Sequence, residues 1–353
     1  MSRIFDVAII GAGPAGSTLA SRLASALPEL QIAIIDGQSR ERSKVCGGLL
    51  APDAQKVLAS FGMTMPKEIL ADPQIFAVET IDLSRRHVRY YQRNYLNMDR
   101  YAFDSWLLSL VPEQVCVLRG KCISIDKADG TFSITLNSGE QIFAESIVGA
   151  DGASSIVRRK FFKRELKKYV AIQQHFKNDG QRIPFYSCIF DPKTSDSCSW
   201  SIHKDGRIIF GGAFDPKGCR ASFEEQKARL QDFLGNSLGE PIKTEACMLS
   251  SPRRLRDFCA GEEKIYLIGE AAGFISASSF EGISSALLSA KLLADAFCSS
   301  SHADIIRKYK RNSLPLVLKL YGKTFKRSIL CSAPLRSLIM KSGVMSVKKY
   351  EKH

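Results

Sequence analysis

The stretch "FDVAIIGAGPAGSTLASRLASALPELQIAIIDGQ", residues 5–38, decides the fold of this 353-residue chain. It opens with an apolar, β-branched run from Phe5 to Ile10, which is typical of a strand buried on both faces of a parallel sheet. A glycine-rich turn follows at once, and residues 17–27 then show the alanine and leucine spacing of a helix. A second apolar run ends at Asp36. This order of strand, turn, helix, strand and acid predicts a Rossmann-type βαβ unit.

The turn of this unit carries the glycine spacing of a dinucleotide site. Its first glycine permits the tight turn, the second lets a pyrophosphate approach the backbone, and the third lets the helix pack on the strand. The pyrophosphate would lie at the helix N-terminus, where unpaired N–H groups and the helix dipole favour negative charge. The acid 20 residues after the third glycine is placed to accept from ribose hydroxyls. The residues predicted to hold the dinucleotide are Gly11, Gly13, Pro14, Ala15, Gly16 and Asp36.

Two later segments repeat the pattern of an apolar run followed by a turn of small residues. The first, "ESIVGADGASSIVRRKFF" (145–162), turns at Asp151 and enters a basic helix, and an ordinary capped turn is the alternative interpretation of that aspartate. The second, "YLIGEAAGFISASSFEGISSAL" (266–287), contains only two charges, Glu270 and Glu281. A carboxylate among small apolar residues needs a partner that offsets its desolvation.

Together the three turns resemble those of FAD-containing flavoproteins with the p-hydroxybenzoate hydroxylase-like fold. Three segments look most like the geranylgeranyl reductase branch: "SKVCGGLLAPDA" (43–54), "CSWSIHKDGRIIFGGAF" (198–214) and "GEAAGFISASSFEGI" (269–283). The resemblance implies an α/β protein in which a Rossmann-type FAD-binding domain is interleaved with an antiparallel-sheet substrate domain and followed by a C-terminal helical segment. The predicted boundaries are 1–75, 96–165 and 259–302 for the FAD-binding domain, 76–95 and 166–258 for the substrate domain, and 303–353 for the C-terminal segment.

The resemblance also assigns cofactor contacts outside the first turn. The backbone from Glu281 to Ser284, at a helix start, would face N1 and O2 of the flavin and stabilise its anionic reduced form. The chain departs from the family pattern at Glu270, where aspartate is usual, at Phe280, where glycine is usual, and in lacking a proline after Trp200. The further FAD contacts that the resemblance implies are Lys44, Cys46, Gly47, Arg100, Asp151, Gly152, Gly269, Glu270, Gly282 and Ile283.

Residues 77–95 and 169–248 alternate between apolar and polar side chains, with many aromatic residues, and this predicts an antiparallel sheet. In the family fold such a sheet covers the flavin ring and walls the substrate pocket. Trp200, Tyr186 and Phe210 are therefore predicted to line an apolar pocket, and the alternative is that they form the core of the sheet. The candidate catalytic residues are Cys46, Trp200 and Glu281; Cys46 is alternatively a small buried thiol.

Composition and charge limit the other possibilities. The ten cysteines have neither C-x-x-C nor metal-ligand spacing, no signal peptide precedes the first strand, and no uncharged apolar run reaches membrane-spanning length. We therefore expect a reduced cytoplasmic protein without a metal site. Of the net charge of +14, most lies in residues 303–353, which hold 13 Lys or Arg against two acids. A nucleic-acid binder would spread its basic residues over a reading surface, so we expect no nucleic-acid partner.

The segment "LPLVLKLYGKTFKRSILCSAPLRSLIM" (314–340) combines apolar residues at helical spacing with lysines and arginines on other faces. Two interpretations remain open. The helix packs on the body with a solvated basic face, or it makes a peripheral contact with an anionic membrane surface.

These observations predict an FAD-dependent oxidoreductase. Since the chain holds no second glycine fingerprint, NAD(P)H would dock transiently as the reductant. The leading hypothesis is reduction of C=C bonds in an apolar, isoprenoid or lipid-like substrate. One alternative is a monooxygenase that hydroxylates a small aromatic or polycyclic compound. Another is a binding protein of the same fold without turnover, which would purify colourless.

Overall fold

A computed structural model describes residues 4–37, 44–178, 185–299 and 304–348. Within these residues two eight-stranded sheets are formed. The strands are β1 (Ile4–Ile10), β2 (Ile32–Asp36), β3 (Leu49–Leu50), β4 (Ile75–Asp82), β5 (His87–Asn97), β6 (Cys116–Arg119), β7 (Cys122–Ala128), β8 (Thr131–Leu136), β9 (Gln141–Gly149), β10 (Lys167–Lys177), β11 (Tyr186–Phe190), β12 (Cys198–Lys204), β13 (Arg207–Phe214), β14 (Lys243–Ser251), β15 (Gly261–Glu262) and β16 (Ile265–Leu267).

Helices cover the sheets and form the C-terminal part of the chain. The α-helices are α1 (Pro14–Ala26), α2 (Pro52–Ser60), α3 (Arg100–Ser109), α4 (Ile156–Phe161), α5 (Cys219–Leu234), α6 (Ile283–Cys298), α7 (Ile305–Cys331) and α8 (Ala333–Ser342). Short 3₁₀ turns lie at Lys67–Ile69, Gly152–Ser154, Leu255–Asp257 and Gly269–Ala272.

The first sheet has the order β15-β16-β9-β1-β2-β6, and β7 and β8 extend it from β9. Strands β6, β2, β1, β9 and β16 are parallel, whereas β7, β8 and β15 pair antiparallel. Strand β1 lies in the middle and is almost fully buried, as its continuous apolar run requires. Helices α1 and α6 contact each other and contribute to the same core. The predicted Rossmann-type unit is confirmed.

The second sheet has the order β14-β10-β13-β12-β11-β4-β5-β3 and is antiparallel except between β11 and β4. One of its faces is covered by α5, whose Phe223 and Leu230 pack into a core with Phe210 and Phe214 of β13. The alternating pattern of residues 169–248 did not predict α5, because only three of its 16 residues are buried and its apolar signal is weak. The domain boundaries given above stay predictions.

The C-terminal helices dock on the body through buried arginines. The side chain of Arg336 in α8 is 2% exposed, and its Nε donates to Oδ2 of Asp82 in β4 at 2.8 Å. In α7, Arg327 pairs with Asp196 at 2.7 Å, and α7 packs against α6. These contacts show that part of the basic charge serves packing. Across the described ranges, no helix combines the length and the apolar character needed to cross a membrane.

We expect Arg336→Met to destabilise the protein by about 3–5 kcal/mol, because it leaves the carboxylate of Asp82 buried without its cation. The matched control is Lys319→Met, since Lys319 pairs with Asp53 at 2.9 Å on the surface, where a salt bridge contributes about 0–1 kcal/mol. Urea unfolding gives the free energy of unfolding of both variants. Equal small losses would show that the Arg336–Asp82 pair does not hold α8.

Candidate functional site

Four parallel strands end at the same level, and this places three turns side by side. Ile10 of β1 is in register with Ile35 of β2 and with Gly149 of β9, and Gly149 is in register with Leu267 of β16. The glycine turn after β1, the Asp151 turn after β9 and the turn that follows β16 therefore share one edge of the sheet. Ligands of open parallel sheets bind at this edge, beyond the carboxyl ends of the strands.

The glycine turn is built around close backbone contacts. A Cβ on Gly16 would overlap the carbonyl oxygen of Gly11, and a Cβ on Gly11 would stand 2.6 Å from the carbonyl oxygen of Ala150. Pro14 lies in the first turn of α1. Gly13 is the N-cap residue of this helix, and no side chain caps the helix N-terminus by a hydrogen bond. At Gly13, in contrast, a Cβ would meet no protein atom within 4 Å. No packing contact of the described residues requires glycine there.

Asp36 ends β2 with its carboxylate buried, and its contact with a ribose stays a prediction. It also has a protein partner that the sequence did not reveal. Arg119, the residue in register with Asp36 on β6, pairs with Oδ2 of Asp36 through an exposed guanidinium.

In the turn after β9 Asp151 acts as a structural cap, and its contact with the cofactor stays a prediction. Its Oδ2 accepts from the N–H of Ile156 at 2.6 Å, which is the structural cap. Its Oδ1 is buried and has no hydrogen-bond partner among the described residues. Burial raises the pKa of this carboxyl group. A buried carboxylate oxygen without a donor is costly, so an outside donor at this position would stabilise it.

Glu270 is engaged by the protein at both carboxylate oxygens. Its Oε2 pairs with Nζ of Lys44 at 2.9 Å, and its Oε1 accepts from the N–H of Ser250 in β14 at 2.8 Å. The charge of Glu270 outweighs burial and raises the pKa of Lys44. A Cβ on Gly152 would stand 3.9 Å from Oε2 of Glu270, so the two turns meet at this ion pair. The Glu270 side chain thus forms an internal bridge between the sheets, and its direct contact with the cofactor stays a prediction.

Glu281 caps a helix. Its Oε1 accepts from the N–H of Ser284 at 2.8 Å and its Oε2 accepts from the hydroxyl of Ser284 at 2.7 Å, at the start of α6. The catalytic role predicted for Glu281 does not fit, because both oxygens are held by this cap. The N–H of Ser284 is likewise occupied by the protein. Gly282 is the N-cap residue, and the side chain of Ile283 lies in a core cluster with Leu287.

The predicted loop of Lys44, Cys46 and Gly47 is held by a lysine that sequence reasoning missed. Nζ of Lys204, in β12, donates to the carbonyl oxygens of Gly47 (3.0 Å), Gly48 (3.2 Å) and Met98 (2.5 Å). Burial lowers the pKa of Lys204 to about 8, so its proton is lost more easily than that of an exposed lysine. The only signal in the sequence was a lysine at the end of an alternating, mostly buried strand.

Arg100, predicted as a cofactor contact, begins α3 with a mostly buried side chain. Its Nε donates to Oδ1 of Asp104 at 2.7 Å. Burial is the largest single effect and would lower its pKa, but the carboxylate of Asp104 and the thiol of Cys46 together outweigh burial and raise the pKa. The guanidinium therefore stays charged inside the protein.

Trp200 lies on the face of the second sheet that does not carry α5. It packs with Cys247 and Phe280 against a small cluster that includes Tyr169. A Cβ on Gly47 would stand 3.8 Å from Cδ1 of Trp200, so the Cys46 loop adjoins the indole. Its Nε1 is buried and has no hydrogen-bond partner within the described part of the chain.

The other two predicted pocket residues lie on opposite faces of the second sheet, and the pocket role of Tyr186, on the face of Trp200, stays a prediction. Tyr186 faces Tyr95 edge-on at 5.5 Å between ring centroids, and burial raises the pKa of Tyr186. Phe210 is fully buried under α5, with its ring 5.4 Å from that of Phe223. The prediction that Phe210 lines the pocket is wrong, because its position along β13 places its side chain on the opposite face of the sheet from Trp200.

We expect Lys204→Met to loosen the Cys46–Gly48 loop, because the carbonyl oxygens of Gly47 and Met98 lose a buried donor, at about 1–3 kcal/mol for each unsatisfied group. Hydrogen exchange by mass spectrometry of peptides covering residues 44–50 measures the change, and faster exchange is expected there. The control is Lys217→Met, an exposed lysine before α5. Unchanged exchange in the Lys204 variant would contradict the role assigned to this lysine.

Comparison with known proteins agrees with this geometry. The model of the family described as lycopene cyclase protein matches residues 6–211. Protein CbrA from Escherichia coli is 44% identical over 352 residues, which cover 97% of this chain and 94% of that protein. Protein CbrA from Shigella sonnei is also 44% identical, covering 97% of this chain and 98% of that protein.

Solved structures show the same fold. The geranylgeranyl bacteriochlorophyll reductase-like protein from Thermoplasma acidophilum has a TM-score of 0.78 at 17% identity, covering 95% of this chain and 90% of that one. PqsL from Pseudomonas aeruginosa, a probable FAD-dependent monooxygenase, has a TM-score of 0.70 at 17% identity, covering 97% and 99%. At this identity the likeness is one of fold. The comparisons confirm the resemblance inferred from the sequence.

Proposed function

We propose that this chain, which belongs to the family of Protein CbrA and to the lycopene cyclase protein family, is an FAD-dependent oxidoreductase. We further propose that it reduces C=C bonds of an apolar, isoprenoid or lipid-like substrate with NAD(P)H as a transient reductant. The names of the family model and of the reductase-like structure both refer to isoprenoid compounds, which supports the substrate class.

The single observation that carries the cofactor assignment is the open space at Gly13. Its φ is −73°, a value open to any residue, and no protein atom lies where its Cβ would be. Neither backbone strain nor packing therefore calls for glycine, whereas a pyrophosphate resting on the N-terminus of α1 does. The unpartnered Oδ1 of Asp151, on the neighbouring turn, supports a ligand with hydroxyl donors at the same edge. The residues present fit FAD.

In this proposal the N–H groups at the start of α1 bind the phosphates of FAD, and Asp36 binds the ribose after exchanging with its exposed partner Arg119. Bound FAD would supply two-electron transfer. Lys204 holds the Cys46–Gly48 loop beside the flavin, and Trp200 forms an apolar wall that excludes water and receives the substrate. Cys46 is proposed as the group that delivers the proton to the reduced bond.

A monooxygenase is the second candidate, and one observation favours it. Both carboxylates of the 266–287 segment are held by protein donors, so neither Glu270 nor Glu281 is free to act as an acid. Oxygen activation requires a dry pocket at the flavin and no dedicated acid. The apolar face around Trp200 would suit that chemistry as well.

The two candidates are distinguished by NAD(P)H oxidation measured with and without oxygen, in the presence of geranylgeranyl diphosphate or of a small aromatic acid. The reductase predicts anaerobic turnover and a product heavier by two hydrogens in mass spectrometry. Turnover that requires oxygen and adds one oxygen atom to the aromatic compound would establish the monooxygenase instead.

We expect Gly13→Ala to remove most of the flavin absorbance of the purified protein while lowering the free energy of unfolding by no more than about 1 kcal/mol, because alanine is a poorer N-cap than glycine. The added methyl group would meet no protein atom but would occupy the place of the pyrophosphate. Gly322→Ala is the matched control, since a Cβ there also meets no atom within 4 Å and lies far along the chain in α7. A colourless wild-type protein that fails to take up FAD would refute the cofactor assignment and favour a binding protein.

A cationic cleft supports transient docking of NAD(P)H. It has a volume of about 520 Å³ and is lined by Arg164, Glu165, Lys167, Arg253, Arg254, Arg256 and Asp257. The guanidinium of Arg158 connects it to the candidate site, because Nη2 donates to the carbonyl of Asp257 (2.8 Å) and Nη1 to that of Ala271 (2.9 Å). Five cations against two acids suit a pyrophosphate.

We expect Arg254→Glu/Arg256→Glu to raise the KM for NAD(P)H at least about tenfold, because each charge-assisted hydrogen bond contributes about 1.5–3 kcal/mol. The flavin spectrum should not change, since the cleft lies outside the glycine turn. Arg93→Glu, an exposed arginine of β5, is the control. An unaltered KM would place the reductant elsewhere.

A further inference from the structure

Helix α7 has apolar residues on two faces. One face packs on the body through Tyr309, Leu316 and Leu320. The other carries four residues spaced by four, three and four positions, which a helix of 3.6 residues per turn gathers into one stripe about 60° wide. We call this the α7 stripe: Leu314, Leu318, Tyr321 and Phe325, with exposures of 53%, 54%, 43% and 72%. Packing on the body therefore leaves an apolar surface uncovered.

Helix α8 continues this pattern. Leu335, Leu338 and Ile339 are exposed, whereas Arg336 and Met340 of the same helix are buried against the body. Two consecutive helices thus each use one face for docking and leave apolar side chains on another. Contiguous exposed apolar surface of this kind marks an interaction site in soluble proteins.

The charged residues on the helix around the α7 stripe are all positive. The sequence contains no Asp or Glu from Ile305 to Lys348. Lys310 and Arg311 precede the stripe by one turn, and Lys326 follows Phe325; all three are exposed. Within the described residues no carboxylate lies at ion-pair distance from these three, whereas Lys319 and Lys323 pair with Asp53. The cations next to the stripe are available to an external anion.

We propose that the α7 stripe docks on the surface of an anionic lipid bilayer. An amphipathic helix lies in the interface with its apolar side chains among the acyl chains, and neighbouring Lys and Arg side chains reach anionic headgroups. A second copy of the chain is disfavoured as the occupant, because a symmetric contact would bring Lys310, Arg311 and Lys326 of both copies together. None of the stripe residues belongs to the candidate cofactor or substrate site, so the inference goes beyond the proposed function.

The test is co-sedimentation of the full chain with phosphatidylcholine vesicles prepared with or without phosphatidylglycerol. We expect binding to the vesicles that contain phosphatidylglycerol, little binding to phosphatidylcholine alone, and weaker binding in high salt, since the Debye length falls from about 10 Å at 0.1 M to about 3 Å at 1 M. Equal binding to both vesicles, or none to either, would overturn the proposal.

Two double variants test whether vesicle binding depends on the α7 stripe and on the cations beside it. Leu318→Gln/Phe325→Gln should lower vesicle affinity at least about tenfold, because two large apolar side chains no longer enter the bilayer. Lys310→Gln/Arg311→Gln should lower it roughly fivefold per charge and reduce its salt dependence. The matched control is Phe76→Gln/Ile242→Gln, which removes apolar residues that are 71% and 59% exposed elsewhere on the surface. It should bind as wild type does.

Two further results would contradict docking of the α7 stripe on a bilayer. Wild-type affinity in the Leu318→Gln/Phe325→Gln variant would overturn the proposal. A wild-type dimer seen by analytical ultracentrifugation without vesicles, and lost in that variant, would identify the stripe as a self-association face instead. The flavin spectrum of each variant should equal that of wild type, which distinguishes failure of this proposal from failure of the cofactor assignment.

Discussion

The in-register ending of four parallel strands is the constraint on which the rest of the structure depends. Ile35, Ile10, Gly149 and Leu267 lie at one level of the first sheet, so the chain must turn three times at the same edge. Segments that lie more than a hundred residues apart in the sequence are thereby brought within a few ångströms. The unpaired N–H groups of α1 open onto that edge, which makes it the natural place for a dinucleotide.

Two lysines join this edge to the second sheet. Lys44 pairs with Glu270 of the third turn, and Glu270 in turn accepts from Ser250 of β14. Lys204 of β12 reaches the carbonyl groups of Gly47 and Gly48. The loop from residue 44 to 48 is consequently held from both sides. These polar contacts are required because the groups are buried. Leaving a buried charge or carbonyl group without a partner costs more free energy than the contact itself contributes to stability.

The two carboxylates of the 266–287 segment, buried in Glu270 and half-buried in Glu281, are both held by donors of the protein itself. Glu270 is one methylene longer than the usual aspartate of the family, and in this structure it spans from its turn to Lys44 and Ser250. Glu281 occupies the N-terminus of α6, where the helix dipole favours a negative charge. Each carboxylate is therefore explained by its protein neighbours.

The sequence by itself determined the elements whose signals are local. The apolar runs, the glycine spacing and Asp36 were sufficient for the Rossmann-type unit, since strand burial and the turn depend on neighbouring residues, and alternation was sufficient for most of the second sheet. Only the tertiary structure decided which face of that sheet meets the candidate site. It placed Trp200 on that face and Phe210 beneath α5, because side-chain direction along a strand has a period of two and the sequence does not say which face is covered. It also decided the partners of Glu270, Glu281 and Lys204, because charge pairing between distant segments depends on how the sheets meet rather than on any local pattern.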